Sequence, residues 1–132
     1  MNQYASAKDG RPMLNGLIAT IVDNSVYLSE VDGLIGDGDH GVNMKKGFLL
    51  AKARLEDKEY TVSEGLKTLG TILLTEIGGS MGPLYGSMYR EMAKVAAGCE
   101  VLTSETVVAM LSAARLALHN LGGASVGDKT LM

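Results

Sequence analysis

The segment Thr61-Val-Ser-Glu-Gly-Leu-Lys-Thr-Leu-Gly-Thr-Ile-Leu-Leu-Thr-Glu-Ile77-Gly78-Gly79 carries a complete helix signature. Thr61 and Glu64 form a capping box, in which the threonine hydroxyl accepts from an early amide and the glutamate reaches back. Leu66, Leu69, Ile72, Leu73 and Ile77 then recur on one helical face, and the glycine pair ends the run. Towards the N-terminus, Leu14, Leu17, Ile18, Ile21 and Val22 form a second stripe, predicting a helix over Met13 to Leu28. A third helix is expected from about Val42 to Glu56, with Phe48, Leu49 and Leu55 on its apolar side. Towards the C-terminus, Pro83 suits the first turn of a helix carrying Leu84, Met88, Met92 and Val95 up to Gly98. Thr103 or Ser104 can cap a further helix through Val107, Val108, Leu111, Ala114 and Leu118, which meets Gly122-Gly123. There is no run of alternating strand residues and no internal repeat. The expectation is an all-α bundle with glycine-rich turns.

Composition narrows the function. The 132 residues suit one domain over 1–132, and 46% apolar with 20% charged content supports a packed core. A net charge of −3 argues against a nucleic-acid partner. No apolar run approaches the roughly 18 residues of a membrane span, and Met1 to Met13 lacks the layout of a signal peptide. The single Cys99 cannot form an internal disulfide, which fits a reducing, cytoplasmic setting. The eight methionines fall mostly at helical spacing and read as core filler. The chain stops at Asp128-Lys-Thr-Leu-Met132, directly after a glycine-rich turn, and so reads as the front portion of a larger helical domain.

The chain has seventeen glycines, well above the average of about 7%, and eleven of them gather in three places. The first is Asp32-Gly-Leu-Ile-Gly-Asp-Gly-Asp-His-Gly41, where Asp32, Asp37 and Asp39 crowd within eight residues. Clustered carboxylates repel one another, and a divalent cation relieves that repulsion. Hard oxygen donors suit Mg²⁺ or Ca²⁺ rather than Zn²⁺. The plain alternative is a solvated polar turn. An EF-hand fails: counted from Asp37 the twelfth position is Phe48, and counted from Asp32 the sixth is Asp37 instead of glycine. Mg²⁺ completed by substrate phosphates therefore fits better, and His40 either contacts phosphate or orients a carboxylate.

The second cluster is Gly78-Gly-Ser-Met-Gly-Pro-Leu-Tyr-Gly86. It aims backbone amides at the start of a helix, a natural phosphate site, or else is simply a helix end followed by a proline start. Gly78-Gly-Ser80-Met-Gly82 also matches a nucleophile elbow, but that motif needs a preceding strand and here a helical pattern comes first. The third cluster, Gly122-Gly-Ala-Ser-Val-Gly127-Asp-Lys-Thr130, nearly matches a Walker loop. Asp128 interrupts it and a helix precedes it, leaving a glycine-rich turn that could contact a nucleotide. His119 sits late in its helix, where it suits the C-terminal dipole.

Taken in order, Asp32-x4-Asp37-Gly-Asp39-His40-Gly41-x-Asn43-Met44, Gly79-Ser-Met-Gly-Pro-Leu-Tyr-Gly86 and Gly127-Asp-Lys-Thr130 resemble the nucleotide-binding L subunit or domain of the dihydroxyacetone kinases. The resemblance runs from about Leu14 to the last residue. Related acyl-phosphate kinases carry threonine at the position of His40, so the form found here is similar to the dihydroxyacetone branch. The resemblance implies an all-helical barrel holding ADP or ATP at one end through two Mg²⁺ ions. It implies Asp32, Asp37 and Asp39 as metal ligands. His40, Gly41, Val42 and Asn43 would contact phosphate, Ser80 and Met81 would lie on the phosphate loop, and Gly122 and Leu131 would stand further around the nucleotide. It also implies a K subunit that holds dihydroxyacetone on its own histidine. In the phosphotransferase-system form, an M subunit rephosphorylates bound ADP; in the other form, ATP is an ordinary substrate. A separate short chain fits the first form. A non-catalytic nucleotide- or metal-binding regulatory module is the alternative. An incomplete barrel would expose apolar faces and favour a homo-oligomer.

Overall fold

A computed structural model describes residues 5–34, 36, 38–77 and 81–122. The elements in chain order are β1 (Ala5–Ser6), α1 (Arg11–Asp23), α2 (Ser25–Asp32), α3 (His40–Leu55), α4 (Val62–Glu76), α5 (Met81–Ala96), β2 (Val101–Leu102) and α6 (Ser104–Gly122). The all-α expectation holds. Among the described residues the one addition is a two-residue antiparallel pairing, Ala5 with Leu102 and Ser6 with Val101. It is too short to leave an alternating pattern in the sequence. Backbone bonds extend this tie: the Ala7 amide donates to Glu100 at 2.9 Å, and the Val62 amide donates to the Ala7 carbonyl at 2.9 Å.

The capping box of α4 is formed as its sequence implies. The Glu64 amide donates to Thr61 Oγ1 at 3.1 Å, and the Thr61 amide donates to Glu64 Oε1 at 3.0 Å. Thr61→Ala is expected to destabilise the protein by about 1 kcal/mol, read as a fall of about 4 °C in thermal midpoint. An unchanged midpoint would show that the cap contributes nothing. Thr103, rather than Ser104, caps α6, since its Oγ1 accepts from the Thr106 amide at 3.1 Å.

The sequence reads Met13 to Leu28 as one helix, whereas the structure divides it at Asn24. That residue leaves helical geometry (φ −106°, ψ 7°). Its side-chain amide donates to the Thr20 carbonyl at 2.7 Å, a local bond that competes with helix continuation. The break frees α2 to lie against the start of α3. Helix α5 begins at Met81, two residues before the proline that announces it.

Helix α4 is the central element, packing on α1, α3 and α5. Leu66, Leu69, Ile72 and Leu73 are wholly buried, joined by Leu14 of α1 and Phe48 of α3. Backbones of α4 and α5 come so close that a Cβ built on Gly70 would stand 2.7 Å from the Gly86 carbonyl oxygen. The six methionines whose side chains are described, Met13, Met44, Met81, Met88, Met92 and Met110, all lie in or against the core. Four residues expected inside are exposed: Leu49, Val107, Val108 and Leu111. On α6 the face turned inward is Met110, Ala114 and Ala117, and the two alanines allow close packing on α5. Among the described residues, no helix is long and apolar enough to cross a membrane.

Candidate functional site

The topology brings the start of α3 and the start of α5, with the described parts of the first two clusters, to one end of the bundle. Gly47, midway along α3, abuts Leu73 and Ile77 near the end of α4, while only the six residues Glu56 to Thr61 join the end of α3 to the start of α4, so the two helices run in opposite senses. The Ser63 hydroxyl of α4 donates to the Ala93 carbonyl of α5 at 2.7 Å, so α5 also runs against α4. The starts of α3 and α5 therefore lie at the same end. Ser87 and Glu91 of α5 line a shared cleft with Ala117 and Leu121 of α6, so the last turns of α6 lie beside α5. Gly122 is the last residue of α6, and His119 occupies its last turn as the dipole argument expects.

Asp32 closes α2, and Asp39 occupies the N-cap position of α3. The Asp32 carboxylate is folded back under the loop. Its Oδ2 accepts from the His40 amide at 3.3 Å. Its Oδ1 fills the space where a Cβ on Gly36 would sit, 2.5 Å away, so only glycine at that position leaves room for it. Asp39 Oδ2 accepts from the Asn43 side-chain amide at 3.1 Å, and its carbonyl accepts from the Asn43 backbone amide at 2.9 Å. Two carboxylates thus flank the positive end of the α3 dipole.

Gly41 is set by packing. A Cβ there would run into the Ser25 carbonyl oxygen and stand 2.7 Å from Ser29 Oγ, so α2 and α3 cross in contact at this residue. Ser29 Oγ accepts from the Val42 amide at 3.2 Å and so satisfies one of the open amides of α3. The Val42 side chain is exposed and lines an outer recess with Ser25, Val26, Ser29, Glu30 and Lys45.

The second cluster reaches the first through rings. Tyr85, in the second turn of α5, meets the His40 imidazole edge-on, with centroids 6.2 Å apart at 62°. One turn later Tyr89 meets Phe48 in the same manner, at 6.1 Å and 76°. Burial pushes both phenols up, Tyr89 to about 12 with a contribution from Tyr85, so both remain neutral at physiological pH. Met81 is half-buried at the start of α5 and packs against the core.

Of the residues singled out from sequence, Asp32, Asp39, His40, Gly41, Val42 and Asn43 are brought together. Asp37, Ser80 and Leu131 lie outside the described residues. Among the described residues, no three His, Cys, Asp or Glu side chains form a group able to hold a metal ion. The donors present, Asp32 and Asp39, are hard oxygens of the type Mg²⁺ takes. The pre-folded Asp32 carboxylate, housed by Gly36, is compatible with that role. Two contributors escaped sequence reasoning. Ser29 carried no usable signal. Tyr85 did, since Tyr85 and Tyr89 repeat at the helical spacing that His40, Met44 and Phe48 also follow.

The sequence profile of the DAK2 domain family matches residues 34–132. The chain is 44% identical to the ADP-binding subunit DhaL of the PTS-dependent dihydroxyacetone kinase of Lactococcus lactis, over 85% of this chain and 56% of that protein. It is 33% identical to the ADP-binding subunit DhaL of PEP-dependent dihydroxyacetone kinase 1 of Listeria innocua, over 90% of this chain and 60% of that protein. It is 36% identical to the corresponding subunit of Escherichia coli, over 81% and 51%. The chain spans about half the length of these curated relatives.

Proposed function

This chain belongs to the DAK2 domain family, and from that premise we propose that it is the ADP- and Mg²⁺-binding part of a dihydroxyacetone kinase L subunit. It relays a phosphoryl group to dihydroxyacetone held on a K subunit, and an M subunit of the phosphotransferase system recharges the bound ADP. The cytoplasm is its place of action. The observation that carries this reading is the meeting of Asp32, Asp39 and His40 at the start of α3, with the start of α5 brought alongside through Tyr85.

The chemistry suits these parts. Phosphoryl transfer is mainly positioning and charge neutralisation, so it requires few reactive side chains. Asp32, Asp37 and Asp39 would hold the two Mg²⁺ ions, which when bound neutralise the diphosphate charge. The start of α3, residues His40 to Asn43, supplies the positive dipole end that favours phosphate. Met81 borders the same end from α5; Ser80 would join it on the phosphate loop, and Gly122 and Leu131 would stand further around the nucleotide. The similarity to ADP-binding subunits supports ADP as the resident nucleotide. ATP would occupy the same site.

Calorimetry of ADP with and without Mg²⁺ tests the binding. Heat of binding that requires Mg²⁺ is expected, and none under either condition would overturn the reading. Adding K and M subunits, phosphoenolpyruvate with its general phosphotransfer proteins, and dihydroxyacetone tests the relay. Nucleotide binding without product would leave a regulatory module in place of a kinase subunit.

A further inference from the structure

We infer that Tyr85 is a positioning residue, whose ring fixes the orientation of the His40 imidazole at the nucleotide end of the bundle. The inference rests on the nucleotide-binding reading and adds to it a residue outside the acidic loop.

Three observations lead to it. First, His40 is the first residue of α3, and its amide donates to Asp32, so its backbone is anchored while its imidazole remains half-exposed. Such a ring has several rotamers open to it unless a neighbour selects one. Second, Tyr85 supplies that neighbour. The edge-on arrangement is the one aromatic quadrupoles favour, and it restricts both rings. Third, Tyr85 is itself held. The next residue, Gly86, is pressed against α4, where an added Cβ would lie 2.7 Å from the Gly70 carbonyl oxygen and 2.8 Å from the Leu74 nitrogen. Tyr89, four residues on, pairs separately with the fully buried Phe48.

Tyr85 and Tyr89 therefore form two rungs from α5 to α3, meeting His40 and Phe48 in the same order. The inner rung is core packing. The outer rung ends on a residue next to the carboxylates, where ring orientation decides whether an imidazole N–H faces a bound phosphate. The contact requires the ring and not the hydroxyl, so phenylalanine at this position preserves it.

The test uses Tyr85→Leu, Tyr85→Phe and, as a control of packing, Phe48→Leu. The chain has two histidines, so His119→Gln assigns the His40 imidazole resonances in a proton–carbon spectrum. Tyr85→Leu is expected to move the His40 resonances, through loss of the ring current, and to weaken Mg²⁺–ADP binding by about two- to tenfold, the range an aromatic pair supports. Tyr85→Phe is expected to restore both. Phe48→Leu lowers the thermal midpoint but leaves the ADP affinity within about twofold, the lower end of that range. Moved His40 resonances with unchanged affinity in Tyr85→Leu would overturn the positioning role, as would equal loss of affinity in Phe48→Leu. If the unaltered chain binds no Mg²⁺–ADP, the nucleotide reading itself fails, which the first titration shows before any variant is made.

Discussion

Asp32→Asn is expected to abolish Mg²⁺-dependent ADP binding while leaving the fold intact. Asparagine has nearly the same shape, and its side-chain oxygen can still accept from the His40 amide, as Asp32 Oδ2 does at 3.3 Å. Gly36 leaves the room that either side chain needs. What disappears is one negative charge and one hard anionic donor. Changes to groups merely supporting a metal ligand cost about 10- to 100-fold in affinity, so loss of a ligating carboxylate should cost about 100-fold or more. Calorimetry with saturating Mg²⁺ reads the loss, and a thermal midpoint close to that of the parent chain shows that the fold survives. Retained affinity would remove Asp32 from the metal site. A matching substitution at Asp39 adds a second reading, because its carboxylate also accepts from the Asn43 side chain. There part of the effect would be loss of that local bond, so Asp32 is the cleaner test.

Gly41→Ala is expected to destabilise the whole protein more than any surface change and to disturb the site with it. The added methyl group would occupy the position of the Ser25 carbonyl oxygen and crowd Ser29 Oγ at 2.7 Å. Both obstacles sit on α2, and Ser25 itself is buried, so relief requires α2 and α3 to separate. Overpacking of this kind typically costs about 1–3 kcal/mol and occasionally more, and a backbone obstacle puts this site at the upper end. A fall of about 10 °C in thermal midpoint should follow, at about 2–8 °C per kcal/mol for domains bracketing this size. Separation of the helices would also draw Ser29 away from the Val42 amide, leaving an open donor beside the site. ADP affinity is therefore expected to fall even at temperatures where the variant is folded. A variant with unchanged midpoint would show that α2 can shift freely, and the close crossing would not be a constraint.

The two substitutions separate two meanings of one motif. Within Asp32 to Asn43, the aspartates are there for charge, whereas Gly41 is there for contact between helices. Sequence reading assigned Gly41 to phosphate recognition through resemblance. The packing against Ser25 gives it a structural reason that stands without any ligand.

How much was legible varies with the range of the interaction. Local signals were reliable. The capping box at Thr61 and Glu64, the apolar stripe of α4 and the acidic loop each depend on residues a few positions apart. Signals that depend on what lies opposite were not. Val107, Val108 and Leu111 fit a helical stripe as well as Met110, Ala114 and Ala117 do. Choosing between them requires knowing which face α5 covers. Likewise the Met13 to Leu28 pattern continues through Asn24, because an apolar stripe does not record a local side-chain bond that turns the backbone away.

The order of the residues alone settled that this chain is helical, where most helices begin and end, and that its acidic, glycine-rich loop belongs to a DAK2 domain. Capping, periodicity and motif spacing are short-range properties, written along the chain itself. Tertiary structure decided the rest: the division of the first helix, the burial of α4 on several sides, the pairing of Ala5–Ser6 with Val101–Leu102, and the approach of Tyr85 to His40 across 45 positions of sequence. Each of these follows from how helices pack, which is set by surface shape and backbone proximity between distant segments, and no local pattern encodes that.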